Sequence, residues 1–383
     1  MLYILILLYI LICIVHFDLN ANVRYRFTCY FFLLFILVLL STIAYRIGTD
    51  ANTYQYDYQY IKPIYNISLD YLFEFEKYQP GYVLFLTLCK AISPSYYFFK
   101  FIYSVIINGA IFYFINKNTR YIFLAVFSYV LGSYMYFNFE IFREGMAVAT
   151  FLLSLKYYYR HQWMKYLMIA LLAFSFHSSA VILFVLPLFS NIKINNTTLL
   201  LSICVFSILI IASSMVKPLV EQTLALFETF NENYSSYLDS EKYGESTLSI
   251  SRLFNYAMNI LFPLFMLRQF VKTNSLKPYY VFMLVSIGIY IISQIIPIFY
   301  RFNNYFRFFS IIFYIDIFRY LSSSFRQRNF IFIALSICYI SLSLRPYFAE
   351  IDDTGIQSFH RYYPYSSIID KTRYSEREFL FNY

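Results

Sequence analysis

Apolar runs of membrane-crossing length recur from one end of this chain to the other, and they leave few folds open. A helix needs about 20 predominantly apolar residues to cross the hydrocarbon of a bilayer. Such runs are predicted at roughly 1–17, 27–45, 98–116, 120–137, 143–160, 163–176, 178–191, 197–216, 252–271, 278–300, 303–320 and 329–346. Inside lipid every backbone polar group must be paired within its own helix or in a closed barrel. A barrel would show short alternating segments rather than unbroken runs. The expectation is an all-α polytopic integral membrane protein with about twelve transmembrane helices. Composition agrees: 60% of the 383 residues are hydrophobic and 13% are charged, about half the charge of a soluble domain.

Residues 80–93 ("PGYVLFLTLCKAIS") are too short for a comfortable crossing and read as a re-entrant or interfacial helix. The N-terminal run lacks a basic n-region and a small-residue cleavage site, so it reads as a retained first span. The cysteines lie in apolar runs without CxxC spacing, and the histidines are scattered. No metal and no cofactor is expected from either.

Basic residues punctuate the runs. Arg24, Arg26, Lys117, Arg120, Lys156, Arg160, Arg268, Lys272, Arg319 and Arg328 are among those in one set of short connections. Of the 21 acidic residues, only Asp18 and Asp316 fall near that set. The net charge of +9 is therefore a topology signal and not a nucleic-acid one. The positive-inside rule puts the basic connections in the cytoplasm and both termini outside. The outer side then carries 46–97 with its short helix, a loop at 217–251 and a tail at 347–383, all within one transmembrane domain spanning 1–383.

With that topology the costly residues converge. Arg46 and Asp50 follow the second run, Arg143 and Glu144 open the fifth, His177 lies at an outer turn, and Arg301 and Arg307 open the eleventh. A charge within hydrocarbon costs about 2.5–3.5 kcal/mol even on lenient scales, and such groups are functional by default. Outside the cytoplasm there is no nucleotide to activate a substrate, and the chain has no Gly-rich phosphate loop. Lipid diphosphates are the usual pre-activated form. Guanidinium groups match phosphate oxygens and can stabilise a departing diphosphate.

Several stretches sharpen this. In "RIGTDANTYQYDYQY" (46–60), Thr49 or Asp50 would cap a helix that puts Asp50, Tyr54 and Asp57 on one face. A carboxylate beside aromatic rings suits sugar handling; an interfacial aromatic belt with a capping acid is the alternative. In "NFEIFREG" (138–145), Glu140 lies three residues before Arg143. That spacing suits a helix-surface ion pair worth about 0.3–0.5 kcal/mol, or else Arg143 turns into the bundle towards phosphate. His177 in "SFHSSA" suits proton transfer or phosphate binding, and equally a hydrogen bond within the bundle. In "RFNNYFRFF" (301–309), Arg301, Asn304 and Arg307 share a helix face, with snorkelling as the alternative for Arg307. "RYYPYSSII" (361–369) is an aromatic tail that either covers a site or lies on headgroups.

The order "RIGTD…Y", "QPGYVLF", "N…FREGMAVATFLLSLKYY", "FHSSA", "RFNNYF" and a late "YYPYS" resembles the EpsG-like group of Wzy-type O-antigen and exopolysaccharide polymerases, over roughly 40–365. The usual pattern of that group has Arg-Gln where this chain has Arg143-Glu144. The resemblance implies a metal-independent glycosyltransferase of the bacterial inner membrane with its site at the periplasmic face. It would move a growing glycan from undecaprenyl diphosphate onto a lipid-linked repeat unit, in contact with membrane lipids and a chain-length regulator. It further implies that Arg143 and Arg301, helped by Arg307 and Arg46, hold the donor diphosphate. Asp50, with His177 or Glu144 as competitor, would take the acceptor proton. Tyr54, Asp57, Asn138, Asn304, Tyr363 and Tyr365 would seat the substrates. A flippase for lipid-linked oligosaccharides and an O-antigen ligase are the alternatives.

Overall fold

The computed structural model describes residues 2–75, 77–208, 255–294, 296–348, 350–351 and 356–370. The predicted outer loop at 217–251 and the last part of the tail lie outside the described residues. The described chain is helical apart from a two-residue antiparallel pair, Glu350–Ile351 with Ile356–Gln357. Among the described residues, four helical segments are long and apolar enough to cross a membrane: Leu2–Leu19, Arg26–Ile43, Tyr96–Asn118 and Ile122–Phe139. Several shorter apolar helices accompany them. This make-up fits a polytopic membrane protein. Ile4, Leu5, Leu8 and Ile12 on the first segment and Phe27, Phe31, Phe32 and Phe35 on the second are exposed, as an apolar surface facing lipid would be.

Two compact units are formed, Met1–Phe184 with Tyr314–Tyr383, and Val185–Phe313. In the first, helix Tyr96–Asn118 packs against both Arg26–Ile43 and Phe142–Tyr159, and the latter packs against Trp163–Phe176. Three contacts fix the antiparallel register of the first pair. Tyr30 Oη donates to the Phe112 carbonyl (2.9 Å), Ser41 bonds Ser104, and Lys100 Nζ donates to the Ala44 carbonyl (2.6 Å). In the second unit, Phe282 tilts against Phe306 and Phe309, and Phe270 stacks on Tyr280 (5.2 Å).

Local chemistry explains where the helices depart from the predicted runs. Helix Pro80–Ile92 has 13 residues and Pro80 in its first turn. At 1.5 Å per residue it rises only ~20 Å, short of the ~30 Å hydrocarbon core. The run predicted at 120–137 is interrupted by a π-turn, Val130–Tyr134, before Met135–Phe139 resumes. The run predicted at 278–300 stops as an α-helix at Ser293 and passes through the short turn Pro297–Phe299, since proline cannot donate to the preceding turn.

One turn depends on glycine. Gly48 has φ +94°, and a Cβ there would lie 2.7 Å from the Phe139 carbonyl oxygen. Strain of this kind costs about 1–3 kcal/mol. Gly48→Ala is expected to destabilise the protein by that amount, read as a lower thermal midpoint in detergent, with Ala51→Gly as a control that leaves the Gly48 contact intact.

Candidate functional site

The two ends of the first unit differ in chemistry. At one end Arg26 reaches the Arg120 carbonyl and lies 3.5 Å from Asp18. Asp18 also accepts from the Leu124 backbone N–H (2.9 Å), and Arg319 lies over Tyr121. Asp18, the acidic exception among the basic connections, is thus bound to that end by a cation and a helix N-terminus. At the other end the segments 44–50, 77–82, 140–144 and 361–367 come together.

Tyr54 is the meeting point there. Helix Ala51–Tyr60 starts after the Gly48 turn and turns Tyr54 and Tyr58 inward. Tyr54 is 6% exposed, and its ring tilts against Phe142 (4.8 Å). Its hydroxyl accepts from the Arg143 guanidinium, and Asp50 and Glu144 act on it through space. Burial holds that hydroxyl above the ordinary phenol range, while Arg143 pulls the other way. Tyr54 therefore stays a neutral hydrogen-bonding group beside the cation.

Arg143 is braced on several sides. Nη1 donates to the Lys77 carbonyl (2.5 Å), and the guanidinium lies 5.0 Å from the Tyr78 ring centroid. Nε is buried without a hydrogen-bond partner. Asp57 accepts from Tyr78 and lies 3.4 Å from Lys77. Asp57 thus supports the platform under Arg143. Glu144 is buried at the third position of helix Phe142–Tyr159, where the helix dipole favours a carboxylate.

The ion pair that spacing allowed between Glu140 and Arg143 is not formed. The helix ends at Phe139, Ile141 is non-helical (φ −109°, ψ 56°), and a new helix starts at Phe142. Residues three apart face each other only on a continuous helix. Glu140, 6% exposed, turns instead to the Thr49 backbone N–H and the Tyr362 hydroxyl, with Arg361 and Asp50 acting on it. Burial lifts its carboxyl above the usual glutamate range. Asp50 occupies the N-cap position of its helix, but its side chain makes no capping hydrogen bond. The carboxylate belongs to the exposed edge of the cluster.

A family model matches residues 27–367, and its description is EpsG family. The chain belongs to the EpsG family. Neither the curated proteins nor the solved structures include a match.

The other candidate residues fall in distinct settings. Asn138 is fully buried and its amide is engaged on both sides. Its Oδ1 accepts from Asn108 (2.7 Å), and its Nδ2 donates to Tyr129 Oη (2.9 Å) and to the Tyr134 carbonyl (3.0 Å). His177 caps the turn Ser178–Val181: Nδ1 accepts from the Ser179 N–H (3.1 Å) and lies 2.6 Å from Ser179 Oγ. Nδ1 is thereby committed as an acceptor. Arg46, at positive φ, lies over the Tyr45 ring (5.3 Å). Arg301, Asn304 and Arg307 lie on helix Tyr300–Ser323 in the second unit, with Asn304 buried.

The aromatic tail is strapped to the chain that follows the second span. Tyr45 N donates to the Ser366 carbonyl (2.9 Å), Ile368 N to the Ile43 carbonyl (2.9 Å) and Gly48 N to the Arg361 carbonyl (3.2 Å). Tyr365 Oη donates to the Leu40 carbonyl (2.8 Å). Tyr363 is exposed and borders an apolar cavity of about 370 Å³, lined also by Ile6, Leu37, Leu40, Tyr134 and Tyr362.

Sequence reasoning did not single out Lys100 or Arg361, and it read Glu140 only as a possible partner of Arg143. Lys100 carried a usable signal, a lone charge at the start of a predicted span. Among the described residues no three His, Cys, Asp or Glu side chains form a metal-ligand set. Asn138→Ala leaves Asn108 and Tyr129 short of a partner in a dry interior. It is expected to cost about 1–3 kcal/mol, measured as a lower detergent melting midpoint.

Proposed function

We propose that this EpsG-family protein is an O-antigen or exopolysaccharide polymerase, acting at the periplasmic face of the bacterial inner membrane. Membership of the family points to a membrane protein of exopolysaccharide biosynthesis. The finer reading is that it transfers a growing glycan from undecaprenyl diphosphate onto the next lipid-linked repeat unit. About twelve crossings are read from the apolar runs, and the charge pattern of the connections puts both termini outside.

The observation that carries the reading is Arg143. It is an always-charged fork held by Tyr54, Tyr78 and the Lys77 carbonyl, with a buried Nε left over. It lies at the end of its unit opposite Arg26 and Arg120. A guanidinium so held suits a diphosphate, on which negative charge builds as the bond to the sugar breaks. Asp50 takes the proton of the attacking hydroxyl. His177 is the weaker base, because its Nδ1 already accepts from Ser179. Tyr54 and neighbouring tyrosines seat the glycan. For Arg301 and Arg307 the diphosphate role rests on the sequence motif.

Deleting the gene in its native strain separates this reading from its rivals. Loss of a polymerase leaves single repeat units on the lipopolysaccharide core. Loss of a ligase leaves bare core with polymer on the carrier lipid, and loss of a flippase leaves no repeat outside. Arg143→Ala is expected to abolish the polymer ladder with membrane protein levels unchanged. Arg143→Lys removes the forked geometry. A charge-assisted hydrogen bond contributes about 1.5–3 kcal/mol, so polymer yield is expected to fall about tenfold or more. Normal ladders from Arg143→Ala would sink the phosphate role.

A further inference from the structure

The stretch "QPGYVLF" (79–85) has no part in the mechanism so far. It forms the start of helix Pro80–Ile92, with Gln79 at the N-cap position and Pro80 in the first turn. The Gln79 side chain makes no capping hydrogen bond. Its carbonyl accepts from Tyr82 N–H (3.0 Å) and Val83 N–H (3.1 Å). A close approach fixes the helix start in place. A Cβ on Gly81 would lie 2.7 Å from the Ser175 carbonyl oxygen, so only glycine lets the two backbones meet there.

That placement puts Tyr82 beside the platform under Arg143. Its ring lies edge-on to Tyr78 (5.4 Å) and to Tyr54 (6.4 Å). The Arg143 guanidinium lies 5.0 Å from the Tyr78 ring centroid and donates to the Lys77 carbonyl, two residues before Gln79. Tyr82 is fully buried, and its Oη has no hydrogen-bond partner. Gln79 Oε1 is likewise buried and unpartnered. Residues 79–81 are nonetheless partly exposed, so this end of the helix is reached from the surface. A buried tyrosine hydroxyl ordinarily finds a partner within a native interior. Here a donor and an acceptor three residues apart in one motif are both left over, on the flank of the site.

We infer that Gln79 and Tyr82 together bind one hydroxyl of the donor glycan, next to the diphosphate held by Arg143. The inference rests on the polymerase reading above and names the residues that select the sugar. A sugar hydroxyl donates to Gln79 Oε1 and accepts from Tyr82 O–H. A diphosphate oxygen carries no hydrogen to give to Gln79 Oε1, so the pair favours sugar over phosphate and leaves the diphosphate to Arg143. A repeat unit lacking that hydroxyl leaves both buried atoms unpaired, which is how a site of this kind rejects the wrong substrate.

The test uses the full-length protein in phospholipid vesicles, supplied with lipid-linked repeat units extracted from the deletion strain. Initial rates of polymer formation give kcat and KM. Tyr82→Phe keeps the ring and removes the unpaired hydroxyl, and Gln79→Leu removes the acceptor. Each is expected to lower kcat/KM about tenfold. The loss is expected mainly as a higher KM, since the bond is made to bound substrate and kept in the transition state. The double variant is expected to lose much less than the product of the two single losses, because both atoms serve one hydroxyl. Without substrate, the melting midpoint of Tyr82→Phe is expected to equal or exceed that of the wild type, since the hydroxyl removed has no partner in the protein. Wild-type kcat/KM in Tyr82→Phe, or a lower midpoint, means that the hydroxyl serves the protein's own interior, through an ordered water for instance. Either result overturns the assignment and leaves the polymerase reading standing, as do single losses that simply multiply in the double variant. Wild-type vesicles that make no polymer overturn the polymerase reading and the assignment with it.

Discussion

The backbone of Gly48 lies against the carbonyl of Phe139, and the outer architecture of the first unit follows from that close approach. The contact requires a residue without a Cβ and with positive φ. It lets the turn after the second span dock where one helix has just ended and the next has not begun. The break at Glu140 and Ile141 frees Glu140 from the helical face of Arg143. Glu140 can then receive the N–H of Thr49 and the hydroxyl of Tyr362, while Gly48 N–H holds the carbonyl of Arg361. A single turn thereby joins the second span, the helix break and the tail.

Polar groups inside the helical packing obey a stricter rule. Away from water, an unpaired donor or acceptor costs about 1–3 kcal/mol. Asn108, Tyr129 and Asn138 meet that rule by closing on one another. Lys100 is 5% exposed and donates to the Ala44 carbonyl, beside the Tyr97 ring (5.8 Å). Against that background several buried atoms at the outer end have no hydrogen-bond partner, among them Arg143 Nε, Gln79 Oε1, Tyr82 Oη and Glu140 Oε1.

Four of the apolar runs, the short helix at 80–92 and the helix after Gly48 were legible because each rests on local properties: run length, a proline at the start, a turn followed by capping-type residues. The basic connections were legible because charge placement along the chain needs no knowledge of packing. Asp50, Tyr54, Arg143 and Glu144 were legible as candidates because charge beside apolar sequence is costly. The candidate residues then divided by environment. Asn138 joined the interior network, Asp57 became a support for Tyr78, and the aromatic tail was strapped to 43–48 rather than lying separately.

The sequence by itself determined the helical class and the segregation of charge, since hydrophobic periodicity and side-chain transfer costs act residue by residue; the family follows from the match over residues 27–367. Tertiary structure alone decided which carboxylate faces which cation. Glu140 and Arg143 are three residues apart, yet a helix break points them to different partners, while Tyr362 reaches Glu140 across more than half the chain. Such pairings depend on where backbones approach closely enough to meet, and that is a property of packing.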